Sequence, residues 1–369
     1  MEELFSLEYG AFEDQLNLAG GLNATGAVNT RLAMRDGFFY ISNGEAQKIL
    51  GLNSYGDLLT LYHNPETNPV PLFDSSVSKK NVNSKNVSTR KTVDYPFNAP
   101  SLLALDSRQC IYVAETLPKE RQESGDNKIL SQVVLRFDSS SFVDYIGQQG
   151  IGGTPFPFIK DIYATEDDGL VVLCAVHDGF EVFCYNDSLV LLSDTLIKYS
   201  DAPEWGEAKP GVSKYSQIEN IIPDLSGRRF FVKAEYYETS LDAASKVQNG
   251  IADPVSVVFP YDISSGQFGK GIEIPPYEEV VSDGFAKETY SLPYDMIGST
   301  KSGWLFFSIA LENGCMIQMI DSQSGRVIRR MLNFDAKNVV YSSFSLSPSG
   351  IISALLAEHD KAKIVWWRA

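Results

Sequence analysis

The chain has 369 residues, 44% hydrophobic and 12% aromatic; that much apolar material builds a large core and excludes disorder as a description of most of it. Lysine and arginine number 31 against 47 aspartates and glutamates, a net charge of −16 that works against a nucleic acid or an anionic membrane surface as partner. No apolar run approaches the roughly 18 residues of a membrane-spanning helix, and Met1-Glu2-Glu3 does not open a basic and then apolar leader, so a secretory signal would have to precede it.

Taken in order, the chain opens with a strand-like run, Leu4 to Tyr9, that has no partner nearby in sequence. Four apolar runs then follow one another across turns: TRLAM, GFFYIS, QKILGL and DLLTLY. The same set of four returns as SLLAL, QCIYVAE, SQVVLRF and FVDYIG, and again as IKDIYA, GLVVLCAV, FEVFCY and LVLLSDTL. It returns as IENII, RRFFVKAE, VSVVFPY and FGKGIEI, and as YDMIG, GWLFFSIAL, MIQMI and RVIRRML. The sixth set, YSSFSL, GIISALLAE and KIVWW, stops at three.

Short Val-, Ile-, Phe- and Tyr-rich runs bounded by Asp, Ser and Gly turns read as strands. Four antiparallel strands per repeat of roughly 40 to 60 residues read as a β-propeller blade. The fold expected is therefore all-β, one six-bladed propeller over 1–369, with blades at about 28–63, 100–147, 159–196, 217–275, 291–333 and 339–369. The orphan strand at about 3–9 fills the missing outer place of the sixth blade, which also covers an open sheet edge. Two stacked β-sandwiches have similar strand spacing, but they do not account for a missing strand at one terminus and a spare one at the other.

The stretch FNAPSLLALDSRQCIYVAET, Phe97 to Thr116, resembles the NHL-type propeller unit, and RDGFFYISNGEAQKILGLNSYG is similar to it. The opening LFSLEYGAFEDQLNL, Leu4 to Leu18, resembles the start of mature propeller lipoproteins of spirochaetes. The resemblance implies a place in the cell envelope or periplasm, with no established activity. Blades three to six depart from the motif, and Met1 stands where a lipoprotein has its acylated Cys, so either the lipid-bearing segment was trimmed or the anchoring expectation is wrong.

Connections alternate between the two faces of a propeller. First-to-second and third-to-fourth strand loops are short, as at Arg35-Asp36 or Thr300 to Ser302. Nearly every insertion falls on the other face, at about 10–28, 63–99, 116–130, 196–216, 237–254 and 275–290. Loops this long on a rigid scaffold are where function concentrates. A non-catalytic interaction or scaffold protein, monomeric and binding a protein partner through this face, is the leading expectation, with Lys119, Arg121, Trp205, Glu207, Tyr236 and Tyr237 as contact residues. Glu238 to Asn249 reads as a short helix, with Leu241, Ala244 and Val247 on one side.

The alternative is a metal-dependent hydrolase or small-ligand binder using the central channel, with Asp161, Asn220 and Asp295, beside Glu219, as oxygen ligands suited to calcium. No spacing demands that these residues meet, and no cofactor is expected. There is no GxSxG elbow, P-loop or dinucleotide fingerprint. The three histidines, His63, His177 and His359, read as residues of solvent-facing turns. Cys110, Cys174, Cys184 and Cys315 lack zinc-ligand spacing and read as free thiols, and the repeated Asp-x-x-x-Gly sequences read as turn chemistry.

Overall fold

The computed structural model describes residues 1–18, 29–73, 90–125, 128–207, 209–242, 244–245, 247–252, 254–283, 286–292 and 294–367. Runs rich in β-branched and aromatic residues form strands, and the chain is an all-β propeller of six antiparallel blades. The strands next to the axis are Thr30–Arg35, Pro100–Leu105, Phe158–Ala164, Lys214–Pro223, Asp295–Ser299 and Tyr341–Leu346, in blades 1 to 6.

Successive side chains of a strand point to opposite faces of its sheet, so each blade offers one apolar face to each neighbour. An apolar cluster fills every one of the six interfaces. Leu32 and Phe39 meet Leu355 and Ile364 between blades 1 and 6, and Ile49 and Tyr62 meet Ile111 and Phe137 between blades 1 and 2. Tyr112 and Val134 pack on Ile162 and Phe183; Val171 and Val182 pack on Ile221 and Phe230. Phe231 meets Leu305 and Phe307, and Ile317 and Met319 meet Ala354 and Trp367.

The ring closes as the strand count requires. Glu2–Glu8 pairs antiparallel with Lys361–Trp367, from Glu2 opposite Trp366 to Glu8 opposite Lys361, and takes the outer place of blade 6. Leu7 is buried there, and Phe5 meets Phe39 edge-on with ring centroids 5.8 Å apart. Beyond the strand, the Tyr9 hydroxyl donates to the carbonyls of Glu358 (2.6 Å) and Lys361 (2.9 Å).

Two local expectations are corrected. Glu238 to Asn249 is not helical: the second strand of blade 4 runs on as Arg229–Leu241, and Gln248–Ile251 folds back on it. Asp242 accepts backbone N–H groups from Ala244 (3.1 Å) and Ser245 (2.7 Å), a local turn that competes with helix formation. His63 is buried, not solvent-facing, because Lys91–Asp94 lies parallel to the outer strand of blade 1 as a fifth strand; its Nε2 is 3.2 Å from the Asp94 carboxylate. The basic stretch VSKKNVNSKNVSTRKT reads from the sequence as a solvated loop; its Lys79, Lys80 and Lys85 lie outside the described residues, whereas Arg90 sits over the Phe73 ring.

The four cysteines are free thiols. Cys174 is opposite Glu181 and Cys184 opposite Val171 in the same sheet; one faces blade 2 and the other blade 4, so facing Cβ atoms, which a disulfide needs, are not available.

Candidate interaction face and central channel

The inner strands all begin at crossings between blades, so their first residues emerge on the face that also carries the second-to-third strand connections. Blade 2 sends out the hairpin Glu123–Gly125 and Lys128–Leu130 here, and Lys128 reaches across to Glu181 of blade 3 at 3.1 Å. Blade 4 extends furthest, because its first two strands continue pairing to Lys214 opposite Glu238. On this face Phe158, Tyr215 and Ile251 are each more than half exposed, as are Ile129 and Val247, and Val255 is exposed beside them. Tyr55, in the Asn53 to Asp57 turn, belongs to the opposite face.

The residues expected to contact a partner are distributed unevenly. Lys119 and Arg121 stand exposed on a short 3-10 turn, and Arg121 lines a cleft of about 400 Å³ together with Gln122, Tyr145 and Thr154. Glu207 is exposed and Tyr237 half-buried, opposite Tyr215. Tyr236 is buried, with its hydroxyl donating to the Pro203 carbonyl, so its side chain is not presented on the face. Trp205 is half-buried, packed edge-on against Phe259 at 5.8 Å. A Cβ at Gly271 would lie 2.8 Å from the Trp205 ring; the glycine makes the seat for the indole. Both aromatics continue the blade 3–4 interface upward, a packing role that their loop position in the sequence concealed. The aromatic that is presented, Tyr215, was not singled out, because its register with the long blade-4 strand is visible only once the sheet is formed.

Behind Lys119 and Arg121 lies Glu115. Its Oε1 accepts the backbone N–H of Asn98 and, at 3.4 Å, of Ala99, whereas Oε2 is buried without a hydrogen-bond partner among the described residues. Burial pushes this carboxyl up to about 7, against the opposing pull of those N–H groups and of Arg121. A carboxyl whose folded pKa is raised binds a proton more readily folded than unfolded, so stability is lost as pH rises from about 4.5 to about 7. Glu115→Gln, which imitates the neutral acid, should stabilise the fold by on the order of 1–3 kcal/mol at pH 8 and by little at pH 4.5. Urea midpoints at the two pH values measure this; equal gains at both would assign the effect to packing.

Along the axis runs a channel with a cavity of about 650 Å³. The inner strands of blades 3, 4 and 5 each carry a bulge, at Lys160, Glu219 and Ile297. Bulges redirect the side chains beside them. Asp161 lines the cavity, its Oδ1 accepting the Ile162 N–H (2.8 Å) and its Oδ2 the Tyr163 hydroxyl (3.0 Å). Burial raises its pKa, opposed by those two bonds and by the charges of Arg31 and Lys160.

Asp295 also lines the cavity, but Asn220 does not. Its amide donates to the Met296 carbonyl (3.2 Å) and its Oδ1 accepts the Ile221 N–H (3.0 Å), a clasp between blades 4 and 5. Asp161, Asn220 and Asp295 are therefore not brought together as one ligand set. Among the described residues no three His, Cys, Asp or Glu side chains are grouped to hold a metal ion.

Glu219 instead joins a buried cluster. Lys233 Nζ contacts Glu219, lies 2.7 Å from Glu235 Oε1 and donates to the Tyr294 carbonyl at 2.8 Å. The sequence signal for it was a Lys and a Glu two apart, hence on one face, within the otherwise apolar run RFFVKAEYY.

No protein-family model matches the chain, and no curated protein matches its sequence. Among solved structures it is similar to a gluconolactonase from Xanthomonas campestris at 9% identity, covering 100% of this chain and 99% of that one, with a TM-score of 0.41. It is similar to the hydrazine synthase of Kuenenia stuttgartiensis at 9% identity over 90% of this chain and 77% of that one, TM-score 0.44. It is likewise similar to the β-propeller domain of the Trilobed protease from Pyrococcus furiosus, at 7% identity over 73% and 82% of the two chains, TM-score 0.37.

Proposed function

We propose that this propeller is a non-catalytic docking protein that holds a protein partner on its long-loop face. One observation carries the reading: large apolar side chains stand exposed in sequence-distant loops of that single face, Ile129 from blade 2, Phe158 from blade 3, and Tyr215, Val247 and Ile251 from blade 4. Clustered exposed apolar groups rimmed by charge mark interaction surfaces. Lys119, Arg121 and Glu207 supply such charge, which selects among partners by complementarity. The net charge of −16 favours a partner with a basic rim. The resemblance of Leu4 to Leu18 to spirochaete propeller lipoproteins supports a non-catalytic protein working in a cell envelope.

The test is quantitative co-purification after crosslinking in the source cells. Tyr215→Asp with Ile251→Asp should reduce recovery of the specific partner at least tenfold, as loss of central anchors does. Tyr55→Asp, on the opposite face, should leave recovery unchanged. Equal recovery with both variants would remove the long-loop face as the docking surface.

A further inference from the structure

The two mouths of the channel differ in how their charges are used. At the short-loop mouth the charges are closed into pairs: Lys301 with Glu166 at 3.5 Å, Arg108 with Asp168 at 3.6 Å, and Arg35 with Asp36 at 3.7 Å. On the long-loop side Lys214 pairs with Glu238 at 3.4 Å and Lys233 with Glu219 and Glu235, but two charged groups that line the cavity stay apart. Arg31, at the start of the blade-1 inner strand, uses only Nη1, for the Thr30 carbonyl (3.1 Å) and the Tyr341 hydroxyl. Its Nε and Nη2 make no hydrogen bond among the described residues, yet the side chain lines the cavity. Two blades round the ring, Asp295 of blade 5 lines the same cavity with a carboxylate that makes no hydrogen bond or ion pair among the described residues. Asp161 of blade 3 feels the Arg31 charge without an ion pair to it.

Opposite charges facing one cavity without closing on each other leave it to a guest to join them. The Nε and Nη2 edge of a guanidinium matches a carboxylate with two parallel hydrogen bonds. The Asp295 carboxylate, which feels the Lys160 charge without an ion pair to it, matches an ammonium. The cavity has the volume of a small-molecule site, and Ala33, Ala104, Ile162, Ile297 and Leu346 give it apolar walls.

We propose that the central channel binds a small dipolar molecule, an amino acid in the broad chemical sense, with its carboxylate on Arg31 and its ammonium on Asp295. This goes beyond the docking reading and does not depend on it. Tyr341 holds the guanidinium in place by accepting from Nη1 while donating to the Thr30 carbonyl, so the anion site is preorganised.

The probes are the unbranched ω-amino acids from glycine to 6-aminohexanoate, each with its matching monocarboxylate and monoamine, titrated calorimetrically into the full chain. At least one amino acid should bind, and at least tenfold more tightly than either one-headed analogue. Asp295→Asn should weaken that binding about tenfold or more without changing the thermal midpoint, since Asp295 makes no bond that holds the fold. Arg31→Met should abolish it; the unliganded midpoint and circular dichroism of that variant separate lost binding from lost structure. Binding by no member of the series, equal affinity for the one-headed analogues, or an Asp295→Asn protein that binds as the wild type does would each overturn the proposal. None of these results bears on the Tyr215 and Ile251 experiment, so the two readings stand or fall separately.

Discussion

Replacing Lys233 by methionine should destabilise the fold by about 3–5 kcal/mol at pH 7, the range found when one partner of a buried ion pair is removed. Lys233 is fully buried and serves two carboxylates and a carbonyl at the blade 4–5 interface. Its removal strands Glu235, which is itself buried and otherwise held only by the Ser256 hydroxyl at 2.8 Å. Burial pulls the Lys233 pKa down, but the bonds to Glu219 and Glu235 outweigh it and leave it raised. For a cation raised in the folded state, the stabilisation is present below its ordinary value of 10.5 and fades as pH climbs through the folded value. The variant should therefore converge on the wild type only at strongly alkaline pH. Adding Glu235→Gln to Lys233→Met should recover much of the loss, because the stranded charge is then gone. Urea unfolding of the single and double variants measures this; a single variant within 1 kcal/mol of the wild type would show that water reaches the cluster.

Removing residues 1–9 should have an effect of similar size and a different character. Burial of Leu7 contributes about 2 kcal/mol, and the two Tyr9 hydrogen bonds about 1 kcal/mol each, so a loss of at least about 4 kcal/mol is expected. The deletion also bares the edge of Lys361–Trp367, whose sequence KAKIVWW has the apolar character that invites strand addition from another chain. Aggregation on heating, with a lower midpoint, is the expected outcome in light scattering and calorimetry. Full restoration by a synthetic peptide of residues 1–9 added in excess would confirm that pairing, and not a change elsewhere, is responsible. A truncated protein with wild-type midpoint and no scattering would mean that blade 6 is complete with three strands.

The architecture was legible because its information is local. Alternation fixed each strand, and the turns between strands carry residues whose side chains make the turn: Asp262 accepts from the Ser264 hydroxyl at 2.6 Å and the Ser265 N–H at 2.8 Å, and Gly266 takes φ +66°. The spare strand at Leu4 to Tyr9 could be placed because an incomplete blade defines the vacancy it fills. What escaped the sequence depends on register. A bulge is one extra residue and leaves no compositional trace, so Lys160, Glu219 and Ile297 gave no warning that Asp161 would be turned to the channel or that Asn220 would clasp the next blade. The Glu238 to Asn249 segment shows the same limit from the other side: its apolar spacing suits a helix, but a strand already paired from Phe230 to Tyr236 continues more readily than it stops. Trp205 and Tyr236 looked like interface residues by type, and only the third dimension shows both rings packed against Phe259, Trp205 from its loop and Tyr236 from the strand Arg229–Leu241.

The pairing of Glu2–Glu8 with Lys361–Trp367 also sets an order of events in synthesis. Within the propeller, the first strand made is the last to find its partner, because Glu2 pairs with Trp366, made after the other five blades. Five blades have all their strands in line and are able to form as they emerge, whereas the sixth waits for its two ends to meet across the longest loop the chain contains. The entropy of that closure grows only slowly with length, but long-range pairing slows folding. Until then Glu2–Glu8 stays unpaired while the other five blades are made. A chaperone that shields short extended segments would act on this strand throughout that interval, and its influence would end when the seam closes.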